Sequence, residues 1–280
     1  AEALLASWRA RTLLQADGTP FPAKSLDPEG ITLTSRDTLF ISSEGDANAL
    51  VSPFVNAFSL SGQQFAELPV PEKFLPTANN SAGIRNNLAF ESLTLTPDQH
   101  YLFTATENAL YQDGPAASLA DESPARILRY DMTTGQPTAE FVYVTDPVTD
   151  APVPAGSFAT NGLVELLALD NTGTLLALER GFSTGVGNTA KLYEVLTQPA
   201  TDVSSIAKLD GLDVDAIAEK RLVFDLGDLG ITLDNLEAMA FGPQLADGRQ
   251  SLFVLSDNNF SSTQTTQLLA FAVDIDTLPA

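Results

Sequence analysis

Short runs in which apolar and polar residues alternate recur along this 280-residue chain, and four of them share one design. They are EGITLTSRDTLFISSE (29–44), ESLTLTPDQHYLFTATE (91–107), ELLALDNTGTLLALE (165–179) and EAMAFGPQLADGRQSLFVLSD (237–257). Each opens on glutamate, runs through a short apolar strand, turns in a polar or glycine-containing loop, and returns through a second apolar strand to Glu or Asp. The turns TSRDT, TPDQH, DNTG and ADGRQ hold the residues that tight hairpins need, so each unit predicts a β-hairpin. The opening glutamates are separated by 62, 74 and 72 residues, more than a hairpin requires. LVSPFVNAFSL, RILRYDM with EFVYVT, KLYEVL with RLVFDL, and LLAFAVDI supply further strands in that space. Four short strands per repeat predict an all-β fold, a β-propeller of four-stranded antiparallel blades with at least four repeats, in a single domain over residues 1–280. Helix is expected only in short pieces, within 1–14 or around VDAIAEK (214–220). The stretches 76–87, 146–162 and 181–188 read as long loops.

Composition narrows the function. With 36 acidic and 14 basic residues the formal net charge is −22, a surface that repels nucleic acid and anionic membrane. There is no cysteine, hence no disulfide framework or thiolate metal site, and the one histidine, His100, excludes poly-histidine zinc chemistry. No stretch approaches the roughly 20 apolar residues of a membrane span, and none has the regions of a signal peptide. The start, AEALLASW, fits a processed or a trimmed chain. A soluble monomer that does not insert into membranes is expected.

In a hairpin the first residue of one strand and the last of the other share the open end, with Cβ atoms roughly 4.5–5.5 Å apart when opposed. The pairs Glu29 and Glu44, Glu91 and Glu107, Glu165 and Glu179, and Glu237 and Asp257 are therefore expected as neighbours. Opposed like charges destabilise the pair unless a cation, an arginine or a shared proton compensates. If these hairpins form the inner halves of their blades, their open ends converge on the channel mouth. Hard oxygen ligands from Glu, Asp and Asn suit Ca²⁺. Glu29, Glu44, Glu91, Glu107, Glu237 and Asp257 are the candidate metal ligands, against the plainer reading that such residues cap strand ends.

The segments LDPEGITL, NNLAFESLTLTPD, LLALERGF, KLYEV, LDNLEAMAFGPQLADG and LFVLSDNNF…QTTQLLAF follow one another in an order that resembles the phytase-like family described as having esterase-like activity. The resemblance extends from about Asp27 to Phe271. It implies a β-propeller, a secreted or periplasmic bacterial protein, and hydrolysis of ester or phosphoester bonds. The matching positions are Glu29, Glu91, Glu179, Arg180, Asn235, Glu237, Asp257, Asn258 and Asn259. The chain departs from the family in having only 26 residues before DPEG, so a ring that lacks a blade or closes with fewer is expected.

The leading expectation is metal-assisted hydrolysis of a small-molecule ester or phosphoester, with Glu179, Arg180 and Glu237 as candidate catalytic residues. Arg85, Asn235, Asn258 and Asn259 are the candidate substrate contacts, and Lys191 could add positive charge. Arg180 follows Glu179, so a strand points the two side chains to opposite faces, and a salt bridge to a neighbouring blade is an equal reading for the arginine. Carboxylic ester or lactone hydrolysis at one Ca²⁺ is an alternative that the scarcity of basic residues favours slightly. A non-catalytic secreted binding protein with a structural Ca²⁺ is another. GFSTG (181–185) matches G-x-S-x-G, but a loop and a strand follow where a nucleophile elbow needs a helix, and only His100 could serve Ser183 as base. A glycosidase is disfavoured because Trp8 is the only tryptophan available for a sugar platform.

Overall fold

A computed structural model describes residues 11–209 and 217–274. Among the described residues, fifteen strands form four antiparallel sheets arranged in a ring, a four-bladed β-propeller. Blade 1 contains β1 (Pro28–Leu33), β2 (Thr38–Ser43), β3 (Phe54–Ser59) and β4 (Gln64–Leu68). Blade 2 contains β5 (Thr94–Leu95), β6 (Tyr101–Ala105), β7 (Ser123–Asp131) and β8 (Gln136–Thr145). Blade 3 contains β9 (Ala159–Ala168), β10 (Thr174–Ser183), β11 (Gly187–Leu196) and β12 (Glu219–Asp225). Blade 4 has three strands among the described residues, β13 (Leu236–Gln244), β14 (Gln250–Ser256) and β15 (Leu268–Val273), one fewer than the repeat predicts.

All four predicted hairpins form, as β1–β2, β5–β6, β9–β10 and β13–β14. Their turns each contain a left-handed residue, Asp37, Gln99, Gly173 or Gly248, which the tight reversal demands. In the third, Asp170 Oδ1 also accepts from the backbone N–H groups of Thr172, Gly173 and Thr174. Helix among the described residues is limited to two 3-10 turns, Glu72–Phe74 and Leu226–Leu229. The helix expected within 1–14 lies largely outside the described residues, as does the first half of VDAIAEK. The described remainder of VDAIAEK leads into β12.

The core lies between blades, for a reason visible in the sequence. Successive strand residues face opposite sides, so an unbroken apolar run buries both faces. On β6, Leu102 packs toward blade 1 with Phe40, Val55 and Phe90, while Phe103 packs toward blade 3 with Leu163, Leu175 and Tyr193. On β10, Leu175 and Ala177 face blade 2, and Leu176 and Leu178 meet Met239, Leu252 and Val254 of blade 4. Blades 1 and 4 approach each other through acidic side chains at the mouth, where the charges of Glu237 and Asp257 reach Glu29.

Candidate active site

The open ends of the first two inner hairpins meet as expected. Glu44 ends the return of β2 and is tied to β1 by its N–H donating to Asp27 O at 3.0 Å. Glu91 and Glu107 flank β5–β6, the N–H of Glu91 donating to Ala105 O at 3.2 Å and that of Glu107 to Ala89 O at 2.7 Å. Oxygens of Asp27, Glu29 and Glu44 lie within 4.8 Å of one another, and so do oxygens of Glu44, Glu91 and Glu107, so Glu44 belongs to both groups. Asp27 was not singled out from the sequence, although its place two residues before Glu29, on the same side of an extended chain, is the signal that finds it.

These carboxylates are poorly compensated. Among the described residues none of the five forms an ion pair within 4 Å. Glu44 Oε1 accepts the Ala89 N–H at 2.6 Å, and Glu44 shares a side-chain hydrogen bond with Glu91, which needs a proton between them. Burial, then the charges of Glu44 and Glu107, hold Glu91 well above the usual carboxylate range. Burial pushes Glu107 up to about 8 against the pull of Arg180. Glu29, open to solvent at the rim, is raised as well, by partial burial and then by Glu44 and Asp27. Glu107 is buried, and its Oε1 has no hydrogen-bond partner. Gly162 on β9 makes room for it, since a Cβ there would stand 2.3 Å from both Cγ and Oε1 of Glu107.

A cavity of about 500 Å³ opens beside Glu107. Arg180 and Glu237 face it and join blades 3 and 4, with Arg180 Nη2 donating to Glu237 Oε1 at 2.8 Å. Arg180 Nε has no partner. Asn235, buried at the start of β13, also lines the cavity and hydrogen-bonds Glu237. Phe158 and Phe182 form an apolar wall with ring centroids 6.2 Å apart. Asn86, Asn87, Asn188 and Gln264 complete a polar rim that sequence patterning did not single out, because they come from loops and a strand of separate blades. A larger hollow, about 1060 Å³, lies against blade 1 around Phe21, Phe54 and Leu68, away from the acidic groups.

Several expected positions lie elsewhere. A bulge in β9–β10 sets Glu165 opposite Leu178 and Glu179 opposite Leu163, so the third pair is not formed. Glu165 instead accepts from the backbone N–H groups of Leu166, Leu93 and Met239, tying three blades together, and burial pushes it up to about 8. Glu179 and Arg180 point to opposite faces, as a strand requires. Glu179 accepts from Tyr143 Oη at 2.6 Å, Asn161 Nδ2 at 2.8 Å and Lys220 Nζ at 2.6 Å, away from the mouth. Lys191 belongs to that same network through Asp146.

Arg85 donates to the carbonyls of Ala109 and Gly114 and lies 4.3 Å from the Tyr111 ring centroid, so its guanidinium is occupied. Asp257 and Asn258 turn the chain, accepting from the N–H groups of Asn259 and Phe260, while Asn259 alone of the three lines the cavity. Asp257 is outside both carboxylate groups, and so is Glu237. Ser183 donates to Asp150 O, and β10 passes through a turn straight into β11. His100 stacks edge-on against Tyr101 in the hairpin turn. Neither has the setting of a serine nucleophile or its base. Trp8 lies outside the described residues.

Fold and mouth together define a four-bladed propeller with an acidic mouth and a cavity beside it. The chain belongs to the phytase-like family, described as "esterase-like activity of phytase", whose profile matches residues 5–260. The family's description names an esterase-like activity. An uncharacterised secreted protein of Arthroderma benhamiae is 27% identical over 190 residues, 58% of this chain and 35% of that protein. The match thus spans about a third of that relative. Among solved structures, a protein of unknown function from Bacteroides caccae aligns over 90% of this chain and 80% of its own, at 10% identity and a TM-score of 0.38. One of unknown function from Dyadobacter fermentans aligns over 89% of this chain and 62% of its own, at 11% identity and a TM-score of 0.44. At these scores neither likeness extends what the sheets themselves show. No helix among the described residues is long and apolar enough to cross a membrane.

Proposed function

We propose that this protein hydrolyses an ester or phosphoester bond of a small molecule at the propeller mouth, with Ca²⁺ held by the carboxylates of blades 1 and 2. The observation that carries this reading is the meeting of Asp27, Glu29, Glu44, Glu91 and Glu107 without ion-pair partners, with Glu107 Oε1 buried and unbonded. Buried polar atoms are normally satisfied, and uncompensated carboxylates are costly. An all-oxygen donor set suits a hard cation. The two groups, which share Glu44, would hold one or two such ions, which would supply Lewis acidity toward a substrate oxygen and lower the pKa of water.

The chain's own groups supply the rest. The oxygen of Glu107 not used to hold the ion can take a proton from the attacking water. The water oxygen adds to the carbonyl carbon or phosphorus, the bond to the leaving oxygen breaks, and that oxygen receives the proton. Arg180 holds Glu237 at the cavity wall and brings fixed positive charge to it. The secreted relative supports work outside the cytoplasm, as a secreted or periplasmic protein.

The test is release of phosphate or alcohol from phytate, nitrophenyl phosphate and nitrophenyl acetate, with Ca²⁺ or with chelator. Turnover is expected only with Ca²⁺, and Glu107→Gln should lower it by about 100-fold or more. Were no substrate turned over while Ca²⁺ still raised Tm, the protein would be a binding protein with a structural ion.

A further inference from the structure

We infer that the cavity takes a neutral carboxylic ester bearing an aromatic or compact apolar group, rather than a phosphorylated polyol. In this arrangement the group lies on Phe158 and Phe182, and the ester carbonyl meets the Arg180 guanidinium. The inference rests on the hydrolase reading above and selects between its two bond types.

Three observations carry it. First, charge: Arg180 is the only basic side chain among the described residues lining the cavity, and it is already paired with Glu237. Glu107 lines the same space, and Asp27, Glu29, Glu44 and Glu91 stand behind it. One or even two divalent cations would not make such a site positive, whereas each phosphate group brings roughly −1.5 to −2 at neutral pH. Second, shape: Phe158, Phe182, Leu88, Ala116 and Ala117 give the cavity an apolar side, which polyol phosphates cannot use. Phe158 is 66% exposed at the cavity, so its ring is open to a ligand there. Third, spacing: Arg180 and Phe182 are two apart on β10 and so share a face, about 7 Å from one another along the strand. Both side chains line the cavity, so one ligand lying along the strand can meet the ring and the guanidinium. The Nε–H of the guanidinium is buried and has no partner.

The test is binding of phenylacetamide, a non-hydrolysable analogue, to the Ca²⁺-loaded protein by ligand-observed NMR, with phytate and inorganic phosphate as competitors. Phenylacetamide should bind, neither phosphate should displace it, and Phe158→Ala and Phe182→Ala should each weaken it about tenfold. Phe158 is exposed on a loop, so its variant should fold and bind Ca²⁺ as the parent does. Binding that both variants leave unchanged, failure of phenylacetamide to bind, or tighter binding of phytate would overturn the inference. If the analogue binds as expected and no ester is cleaved, the site stands and the hydrolase reading falls.

Discussion

Two sets of buried carboxylates occupy this propeller, and they are built on opposite principles. Around the outer strands of blade 2, Asp113 and Glu140 clasp the fully buried Arg126, and Lys73 adds a second cation to Glu140. Between blades 2 and 3, Lys220 bridges Glu179 and Asp146 and lies 4.3 Å from the centroid of Tyr193. Burial would raise Asp146, yet Lys220 and Tyr193 hold it below its ordinary value. At the mouth, by contrast, Glu44, Glu91 and Glu107 face one another, and only Glu44 and Glu91 share a proton. The buried acids of the Arg126 and Lys220 networks come with their own cations, and Glu165, which ties three blades, with backbone N–H donors instead. The acids at the mouth form no ion pair with a cation among the described residues.

The largest break in this comparison comes from removing a cation from the balanced set. Arg126→Met leaves Asp113 and Glu140 buried and uncompensated and should cost about 3–5 kcal/mol in denaturant unfolding. Glu107→Gln, which removes a carboxylate from the unbalanced set, should leave the metal-free protein equally or more stable. A destabilisation by Glu107→Gln as large as that of Arg126→Met would show that the mouth is structural after all.

A smaller effect sharpens the geometry. Gly162→Ala places a methyl group against Glu107 and should cost about 1–3 kcal/mol. It should also weaken Ca²⁺ binding in calorimetry, because Glu107 must turn away. Unchanged affinity would place the ion elsewhere.

The smallest effect per unit is that of pH. Glu107 binds its proton more tightly in the folded chain, with a pKa near 8 against an ordinary 4.5. The folded state therefore holds more protons between those values, and stability is lost as pH rises from about 4.5 to about 8. Each such group contributes at most about 1.4 kcal/mol per pH unit. Saturating Ca²⁺ should flatten the contribution of the mouth but not that of Glu165, whose carboxylate faces backbone N–H groups. A metal-free melting curve that rose with pH over this window would contradict the assignment.

Much of the fold was legible in the chain, and less of the site. The hairpins could be read because turn residues and period-two alternation are local. The pairs Glu29 with Glu44 and Glu91 with Glu107 could be read because each is closed by one hairpin. The pair Glu165 with Glu179 could not, because one bulged residue reverses every side chain beyond it. Nothing in SDNNF distinguishes Asp257 and Asn258, which shape a turn, from Asn259, which reaches the cavity. Arg85 looked like a free cation and is spent on two carbonyls and a tyrosine ring.

By itself, then, the sequence determined four β-hairpins, blades apolar on both sides, and a surplus of acid with too few cations to offset it. These follow from residue chemistry and from contacts within a single hairpin. The tertiary structure decided which acids find a cation and which do not. Arg126, Lys220 and Arg180 meet their partners across turns and blade seams, where packing of whole sheets, not spacing along the chain, sets the distance.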